Sequence, residues 1–282
     1  MIDVHSHIVY GVDDGSKNLE DSIIMLKEAK NAGFTDIIAT PHYMEGYFEH
    51  SKEDISNRID VLRKETEGEI NIFQGNEIYL TSSINDLIDE NLASTLQDSK
   101  YVLFELPMLE KPMDLIEIVY KILESNRNPI IAHPERYTYV QENPNILLDL
   151  IEEGVLFQSN YASIIGTYGK NAQKTVRKLL QHNMIHFLGS DNHRKNTIYA
   201  NMPNIINELE KVIDGDALQA LTLDNPKCIL ENREIEIYDP IKIKEKKFFN
   251  LFWTLGTFLK VLFCNKRDGE FWQMSKNFKS IN

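Results

Sequence analysis

Ile2-Asp3-Val4-His5-Ser6-His7-Ile8-Val9 opens the chain and runs straight into Gly11-Val12-Asp13-Asp14-Gly15. The alternation across residues 2–9 predicts a strand, and residues two apart on a strand share a face, so His5 and His7 point at one spot. The turn-rich segment behind them can bring a carboxylate back over the strand end. Imidazole and carboxylate together suit a borderline divalent ion. The rest of the chain is therefore searched for strand ends that carry further ligands.

An amphipathic helix over 19–32 stops at Gly33, and a second strand over 36–40 has Pro41-His42 just past its end. A helix over 52–67 precedes a third strand, 70–77, that closes on Glu77. Strand 101–104 reaches Glu105, and after a helix over 113–124 strand 129–132 reaches His133. A helix over 144–153 leads to strand 155–160. Another over 171–182 leads to strand 184–189, which ends in Ser190-Asp191-Asn192-His193.

Seven strands alternating with helices are the sequence form of a parallel α/β fold. Ligand-type residues at six of the strand ends favour a barrel, because only a closed ring brings that many C-terminal ends to one mouth. Asp191-x-His193 repeats the alternation of His5-x-His7, and in a ring the last strand lies beside the first. Taken singly, His42, Glu77, Glu105 and His133 read as loop or cap residues; their joint placement reads as a multinuclear metal site. His50, His182 and His186 lie in a polar loop, at a helix end and inside a strand, and are expected to be solvated or core histidines. Asp13 and Glu135 are expected to be supporting or surface groups.

The segments Asp3-Val4-His5-Ser6-His7, Asp14, Pro41-His42, Gly75-Asn76-Glu77-Ile78-Tyr79, Phe104-Glu105, Ala132-His133-Pro134-Glu135-Arg136-Tyr137 and Ser190-Asp191-Asn192-His193 resemble the polymerase and histidinol phosphatase (PHP) superfamily. More closely, they look like its bacterial protein-tyrosine phosphatases of capsule and exopolysaccharide operons, the CpsB/YwqE type. The resemblance covers 1–234. It implies a distorted TIM-like barrel of seven βα units and a trinuclear centre. One ion would be held by His5, His7, Glu77 and Asp191, a second by Glu77, Glu105 and His133, and a third by Asp14, His42 and His193. Asp14, His42 and Arg136 would take part in catalysis, with Arg136 matching the family's phosphate-binding arginine. A second, later arginine of the family has no clear match after His193, where this chain reads Arg194-Lys195-Asn196.

The charges suit phosphoester chemistry. Three divalent ions against the carboxylates of Asp14, Glu77, Glu105 and Asp191 leave a net positive site for a phosphate dianion. A tyrosine phenolate, with a parent pKa of about 10, leaves more easily than a serine alkoxide. Nitrogen and oxygen ligands without thiolate suit manganese, iron, cobalt or zinc, and the resemblance points to manganese. A cysteine phosphatase is excluded on spacing, since Cys228 precedes Arg233 at the wrong interval for a C-x5-R loop, with no glycine between them. The loop Tyr43-Met44-Glu45-Gly46-Tyr47-Phe48-Glu49-His50 has two open readings: aromatics that wall a phosphotyrosine pocket, or rings that pack the loop onto the barrel.

With 282 residues and 42% hydrophobic content, the chain can bury a sizeable core, read as one domain over 1–234 and a C-terminal tail over 235–282. Residues 1–234 carry 21 Lys and Arg against 38 Asp and Glu, whereas 235–282 carry 9 against 5. The acidic body argues against nucleic acid, whose phosphates need clustered cations. Two cysteines and a start directly on a strand indicate neither secretion nor a disulfide framework, so the cytoplasm is expected. In the tail, Lys242, Lys244, Lys246 and Lys247 precede the apolar run 248–264, and Lys266-Arg267 follow. That run is short for a bilayer span of about 20 residues. A basic-flanked helical appendage that touches the inner membrane surface through 242–267 is one reading, and a helix docked on the barrel or on a second subunit of a homo-oligomer is the other.

The expected function is thus a metal-dependent protein-tyrosine phosphatase. The resemblance implies a bacterial tyrosine kinase tail as substrate, and regulation of capsule or exopolysaccharide synthesis. The rivals are a histidinol-phosphate or other small-molecule phosphoesterase and, from another class, a non-catalytic metal-bound scaffold of a membrane polysaccharide complex.

Overall fold

The computed structural model describes residues 1–244. Nine strands fill the seven expected positions: β1 (Ile2–Ser6), β2 (Asp36–Ala39), β3 (His42–Tyr43), β4 (Asn71–Gln74), β5 (Glu77–Tyr79), β6 (Tyr101–Glu105), β7 (Asn128–Ala132), β8 (Leu156–Asn160) and β9 (Phe187–Gly189). The count exceeds seven because the second and third positions each break in two. Thr40-Pro41 separates β2 from β3, and Gly75-Asn76 separates β4 from β5. A proline has no N–H for a ladder, so the sheet reorganises there. Asn76 spans the breaks, donating from Nδ2 to Pro41 O at 2.9 Å and accepting at Oδ1 from Ser94 N–H at 2.9 Å. The consequence is functional: His42 now pairs directly with Glu77 in the β3–β5 register.

Strands β1, β2 and β4 form one parallel sheet and β3 with β5 to β9 another. The ring closes at its mouth, where Asp191 N–H donates to His5 O at 2.8 Å and His7 N–H to Asn192 O at 3.2 Å. Among the described residues no ladder joins β4 to β6. The 3-10 turn Leu96–Asp98 packs there instead, so closely that a Cβ on Gly75 would lie 2.8 Å from Leu96 Cδ2.

The barrel interior is apolar below the mouth. Val4, Ile38, Leu103, Ile130, Leu156 and Phe187 fill it, and Ile229 plugs it from beneath. Around it lie α1 (Leu19–Asn31), α2 (Lys52–Glu65), α3 (Ile84–Asp89), α4 (Leu115–Glu124), α5 (Thr138–Glu142), α6 (Ile146–Glu152), α7 (Lys170–Gln181), α8 (Met202–Leu209), α9 (Gly215–Gln219) and α10 (Asn225–Leu230). The long helices match the expected positions to within two residues at most ends, and α1 and α2 start on side-chain caps. Asn18 accepts from Asp21 N–H at 2.9 Å and Ser51 from Asp54 N–H at 3.2 Å. Helices α3, α5 and α8 to α10 were not anticipated.

Residues 235–243, read from sequence with the tail, run along the barrel. Ile241 N–H donates to His182 O at 2.8 Å, and Ile243 N–H to Asn145 Oδ1 at 2.9 Å. The compact unit therefore extends to Ile243. The apolar run 248–264 lies outside the described residues, and with it the helical appendage and nearly all of the membrane-contact segment 242–267. Among the described residues, no helix is long and apolar enough to cross a membrane.

Glu135 is one of the ties that hold the mouth. Fully buried, it accepts from Ser159 Oγ at 2.8 Å, Asn160 N–H at 2.9 Å and Ser163 Oγ at 2.6 Å, linking the turn after β7 to the end of β8. Each buried donor left unpaired costs about 1–3 kcal/mol. Glu135→Ala is therefore expected to lower the unfolding free energy by about 3 kcal/mol or more in urea titration of metal-stripped protein. A loss below about 1 kcal/mol would contradict the role of this carboxylate as a tie.

Candidate metal centre

All nine residues expected as ligands meet at the C-terminal mouth of the barrel. Three groups of potential donors have their ligand atoms within 4.8 Å of one another: His5, His7, Glu77 and Asp191; His42, Glu77 and Glu105; and His7, Asp14, His42 and His193. The first matches the set expected for one ion. The third contains the expected Asp14, His42 and His193 and adds His7. In the second, His42 stands with Glu77 and Glu105, while His133 approaches the same carboxylates separately, its Nε2 2.8 Å from Glu77 Oε1 and 3.8 Å from Glu105 Oε2. His42 borders two groups, with Nδ1 3.1 Å from Glu77 Oε2 and Nε2 3.6 Å from Asp14 Oδ1.

Glu77 is the hub. Its Oε2 lies 3.1 Å from His5 Nε2, 3.3 Å from His7 Nε2 and 3.1 Å from His42 Nδ1, yet it is buried and makes no hydrogen bond. Three nitrogens crowding one oxygen without hydrogen-bond geometry is the arrangement of ligands aimed at a common centre. The His5 and His7 Nε2 atoms stand 3.1 Å apart. With metal–nitrogen bonds of about 2.0–2.1 Å, two ligands on one ion would be separated by about 3.0–3.4 Å, so the residues present fit a divalent ion.

The donors are oriented by partners behind them. His5 Nδ1–H donates to Gln158 Oε1 at 2.7 Å, and Gln158 Nε2 donates to Asn160 Oδ1 at 3.1 Å. Asn160 Nδ2 then donates to Asp191 Oδ2 at 2.6 Å, closing the chain back onto the centre. His7 Nδ1–H donates to Asp13 Oδ2 at 2.7 Å, and Asp13 is itself held by the N–H groups of Gly15 and His42. Both bonds leave Nε2 with its lone pair toward the centre. Asp13 thus has the supporting role expected of it. Gln158 and Asn160 were missed, although a buried Gln-Ser-Asn end on an otherwise apolar strand was the available signal.

The backbone is equally specific. His133 and Asp191 lie in the left-handed region, at φ 35° and 52°, which non-glycine residues rarely adopt. A Cβ on Gly15 would sit 2.5 Å from His7 Cβ, and one on Gly189 2.7 Å from His5 Cβ. Only glycine lets these two segments approach the histidine strand.

Arg136 is fixed at the rim. Its Nη1 donates to Asp191 Oδ2 at 2.9 Å, and the guanidinium stacks on Tyr168 at 4.7 Å from the ring centre. Arg194 Nη1 donates to the carbonyls of Gly15 and His193, each at 2.7 Å, and to that of Asp14, pinning two ligand loops together. Lys195 is engaged with Asp21 at 2.7 Å. In the loop after β3, Phe48 stacks on His42 with ring centres 5.9 Å apart, and Tyr47 is 75% exposed. The other histidines stand apart: His50 pairs with Asp54, His182 with Lys178 O, and His186 accepts from Phe157 N–H inside the core.

Without metal, the cluster balances its charge with protons. Burial disfavours the His5 imidazolium, but Glu77 and Asp191 outweigh it and raise its pKa to about 9. Burial opposes the charge on His7 too, and Asp13 reverses that, leaving its pKa well raised. Burial and the neighbouring Glu77 charge push Glu105 up to about 8. A bound ion needs neutral imidazole and ionised carboxylate, so loading at pH 7 must displace these protons. The sign follows: raised pKa values mean protonated groups at neutral pH, and affinity that climbs as pH rises toward 9. Titration calorimetry at pH 7 in buffers of different ionisation enthalpy is expected to show more than one proton released on loading. Binding with no proton release would contradict the charge balance.

The family description "Capsular polysaccharide synthesis, CpsB/CapC" matches residues 1–231. Tyrosine-protein phosphatase YwqE of Bacillus subtilis is 31% identical over 255 residues, covering 89% of this chain and all of YwqE. Tyrosine-protein phosphatase CpsB of Streptococcus agalactiae is 30% identical over 247 residues, 83% of this chain and all of CpsB. A crystal structure from work on YwqE of Bacillus subtilis and CpsB of Streptococcus pneumoniae, described as unique metal-dependent tyrosine phosphatases, superposes with a TM-score of 0.81 at 30% identity, over 87% of this chain and all of that one. Histidinol phosphate phosphatase of Lactococcus lactis superposes with a TM-score of 0.52 at 16% identity, over 75% of this chain and 94% of its own, which is a likeness of fold. With the barrel, the mouth cluster and full-length relatives in agreement, this chain belongs to the CpsB/CapC family of capsular polysaccharide synthesis proteins.

Proposed function

We propose that this protein is a metal-dependent protein-tyrosine phosphatase. The observation that carries the reading is Glu77, whose buried Oε2 stands within 3.3 Å of three imidazole nitrogens and hydrogen-bonds to none of them. His5, His7, Glu77 and Asp191 would hold one ion, Glu77, Glu105 and His133 a second, and Asp14, His42 and His193 a third. Manganese is the assigned metal, on the family resemblance and the absence of thiolate from the donor set.

Divalent ions in such a centre supply positive charge for phosphate oxygens and lower the pKa of coordinated water to about 7. The protein's own groups do the rest. Arg136, held by Asp191 and stacked on Tyr168, has a guanidinium fixed in place with donors beyond the one given to Asp191. Those donors can bind equatorial phosphate oxygens without losing orientation. Hydrolysis forms a P–O bond from water and breaks the bond to the tyrosine oxygen. The phenolate leaves readily at a parent pKa of about 10, so the step needs little general-acid help, and Asp14 and His42 would act by holding the third ion. Phe48, stacked on His42, and exposed Tyr47 offer an aromatic wall for the substrate ring.

The substrate assigned is the phosphotyrosine tail of a bacterial tyrosine kinase in surface polysaccharide synthesis, met in the cytoplasm. The family description supports surface polysaccharide synthesis and the relatives' names support phosphotyrosine as the substrate group; the kinase tail and the cytoplasm rest on the family resemblance of the sequence.

Hydrolysis of a phosphotyrosine peptide by purified protein with manganese is expected to stop in chelator. It should fall about 100-fold or more in His133→Ala, and Arg136→Lys, which loses the planar fork, should lower kcat/KM by about tenfold or more. Hydrolysis that persists in chelator contradicts the metal mechanism, and a preference for histidinol phosphate favours the small-molecule reading. No turnover of either substrate with any metal favours the scaffold.

A further inference from the structure

Helix α7 carries Lys170, Lys174, Arg177 and Lys178 and no acidic residue, on a body in which acids outnumber cations 38 to 21. Its buried face is Ala172, Thr175, Val176, Leu179 and Leu180. Arg177 is spent on Glu208 at 2.9 Å. Lys170, Lys174 and Lys178 are exposed, share one face at four-residue spacing, and make no ion pair among the described residues. Three unpaired cations in a row are unusual on so acidic a surface.

The stripe begins at the mouth. Helix α7 follows β8, so its first turn lies at the C-terminal end of the strands and the helix runs back down the barrel. Tyr168, two residues before Lys170, is the ring on which Arg136 stacks. An open groove of about 270 Å³ runs between α5 and α7, lined by Thr138, Gln141, Asn171, Lys174 and Lys178, with Glu142 its one acid. Thr138 is two residues past Arg136. The groove thus starts next in chain order to Arg136 on one side and to its stacking partner Tyr168 on the other.

Spacing and charge select the occupant. Lysines four apart on a helix rise about 6 Å per step. Alternate residues of an extended chain rise about 6.6–6.8 Å and point the same way. We propose that the α5–α7 groove, with Lys174 and Lys178 in its lining and Lys170 one turn before them on the same helix face, docks an extended acidic segment of the phosphoprotein substrate, with carboxylates at alternate positions flanking the phosphotyrosine. The proposal rests on the phosphatase reading and adds a specificity surface outside the metal centre.

The test compares two phosphotyrosine peptides, one with Glu at alternate flanking positions on both sides and one with Gln there, on wild type and on Lys170→Met/Lys174→Met/Lys178→Met. Wild type is expected to favour the Glu peptide in kcat/KM by about tenfold at low salt, the scale of three exposed ion pairs, with the preference fading as salt rises. In the triple variant the ratio should fall to about one, and single Lys→Met variants should lower it in part. Turnover of both peptides by wild type with equal kcat/KM overturns the docking proposal and leaves the phosphatase reading standing. So does a preference that survives in the triple variant. Turnover of neither peptide overturns both.

Discussion

One buried carboxylate sets the terms for the mouth of this barrel. Glu77 is fully enclosed, and around it gather four imidazoles and the carboxylates of Glu105 and Asp191. Charge at this density cannot be buried unless it is neutralised. Protons do this in part: His5 and His7 hold theirs well above the usual imidazole range, and burial together with the Glu77 charge keeps Glu105 protonated up to about pH 8. Divalent ions would do it better, since the donors already converge on one oxygen. The cluster is costly as a structural core and sensible as a metal centre.

Much of the surrounding fold can be understood as holding that convergence. Breaking the second and third strand positions at Pro41 and Gly75-Asn76 puts His42 opposite Glu77. Left-handed turns at His133 and Asp191 aim these side chains from the ends of their strands. Gly15 and Gly189 let neighbouring segments press against the histidine strand. The chain from His5 through Gln158 and Asn160 to Asp191 fixes tautomer and orientation together. None of these devices is needed to fill the apolar core below, which Val4, Leu103, Ile130 and Phe187 do unaided.

The fold and eight of the nine mouth residues were legible in the sequence for one reason: a parallel barrel places every strand's C-terminal end at the same mouth, so ligand-type residues recur at one place in each βα unit, whereas Asp14 came with the family resemblance. His5-x-His7 and Asp191-x-His193 declare themselves by alternation, while His42, Glu77, Glu105 and His133 gain meaning only together. What was not legible depends on tertiary contact. The breaks in the strands follow from how Asn76 bonds to Pro41 and Ser94. Gln158 supports His5 because β8 faces it; the polar Gln-Ser-Asn end of that apolar strand hints at a role, but only the tertiary contact says which residue it serves. The true end of the compact unit at Ile243 is set by bonds to Asn145 and His182, which composition does not foretell. That His42 as well as His133 approaches Glu105, at 3.4 Å and 3.8 Å, likewise shows only in the distances.

The central claim is that Glu77 joins ions that would otherwise have no common ligand. The most direct measurement is the divalent metal content per chain of manganese-loaded, desalted protein, wild type against Glu77→Gln. An amide keeps the shape but loses the charge and one strong ligand oxygen. The account predicts three ions in the wild type, with at least two lost in the variant while the fold, read by circular dichroism, is retained. A Glu77→Gln protein that keeps the full wild-type complement would contradict it.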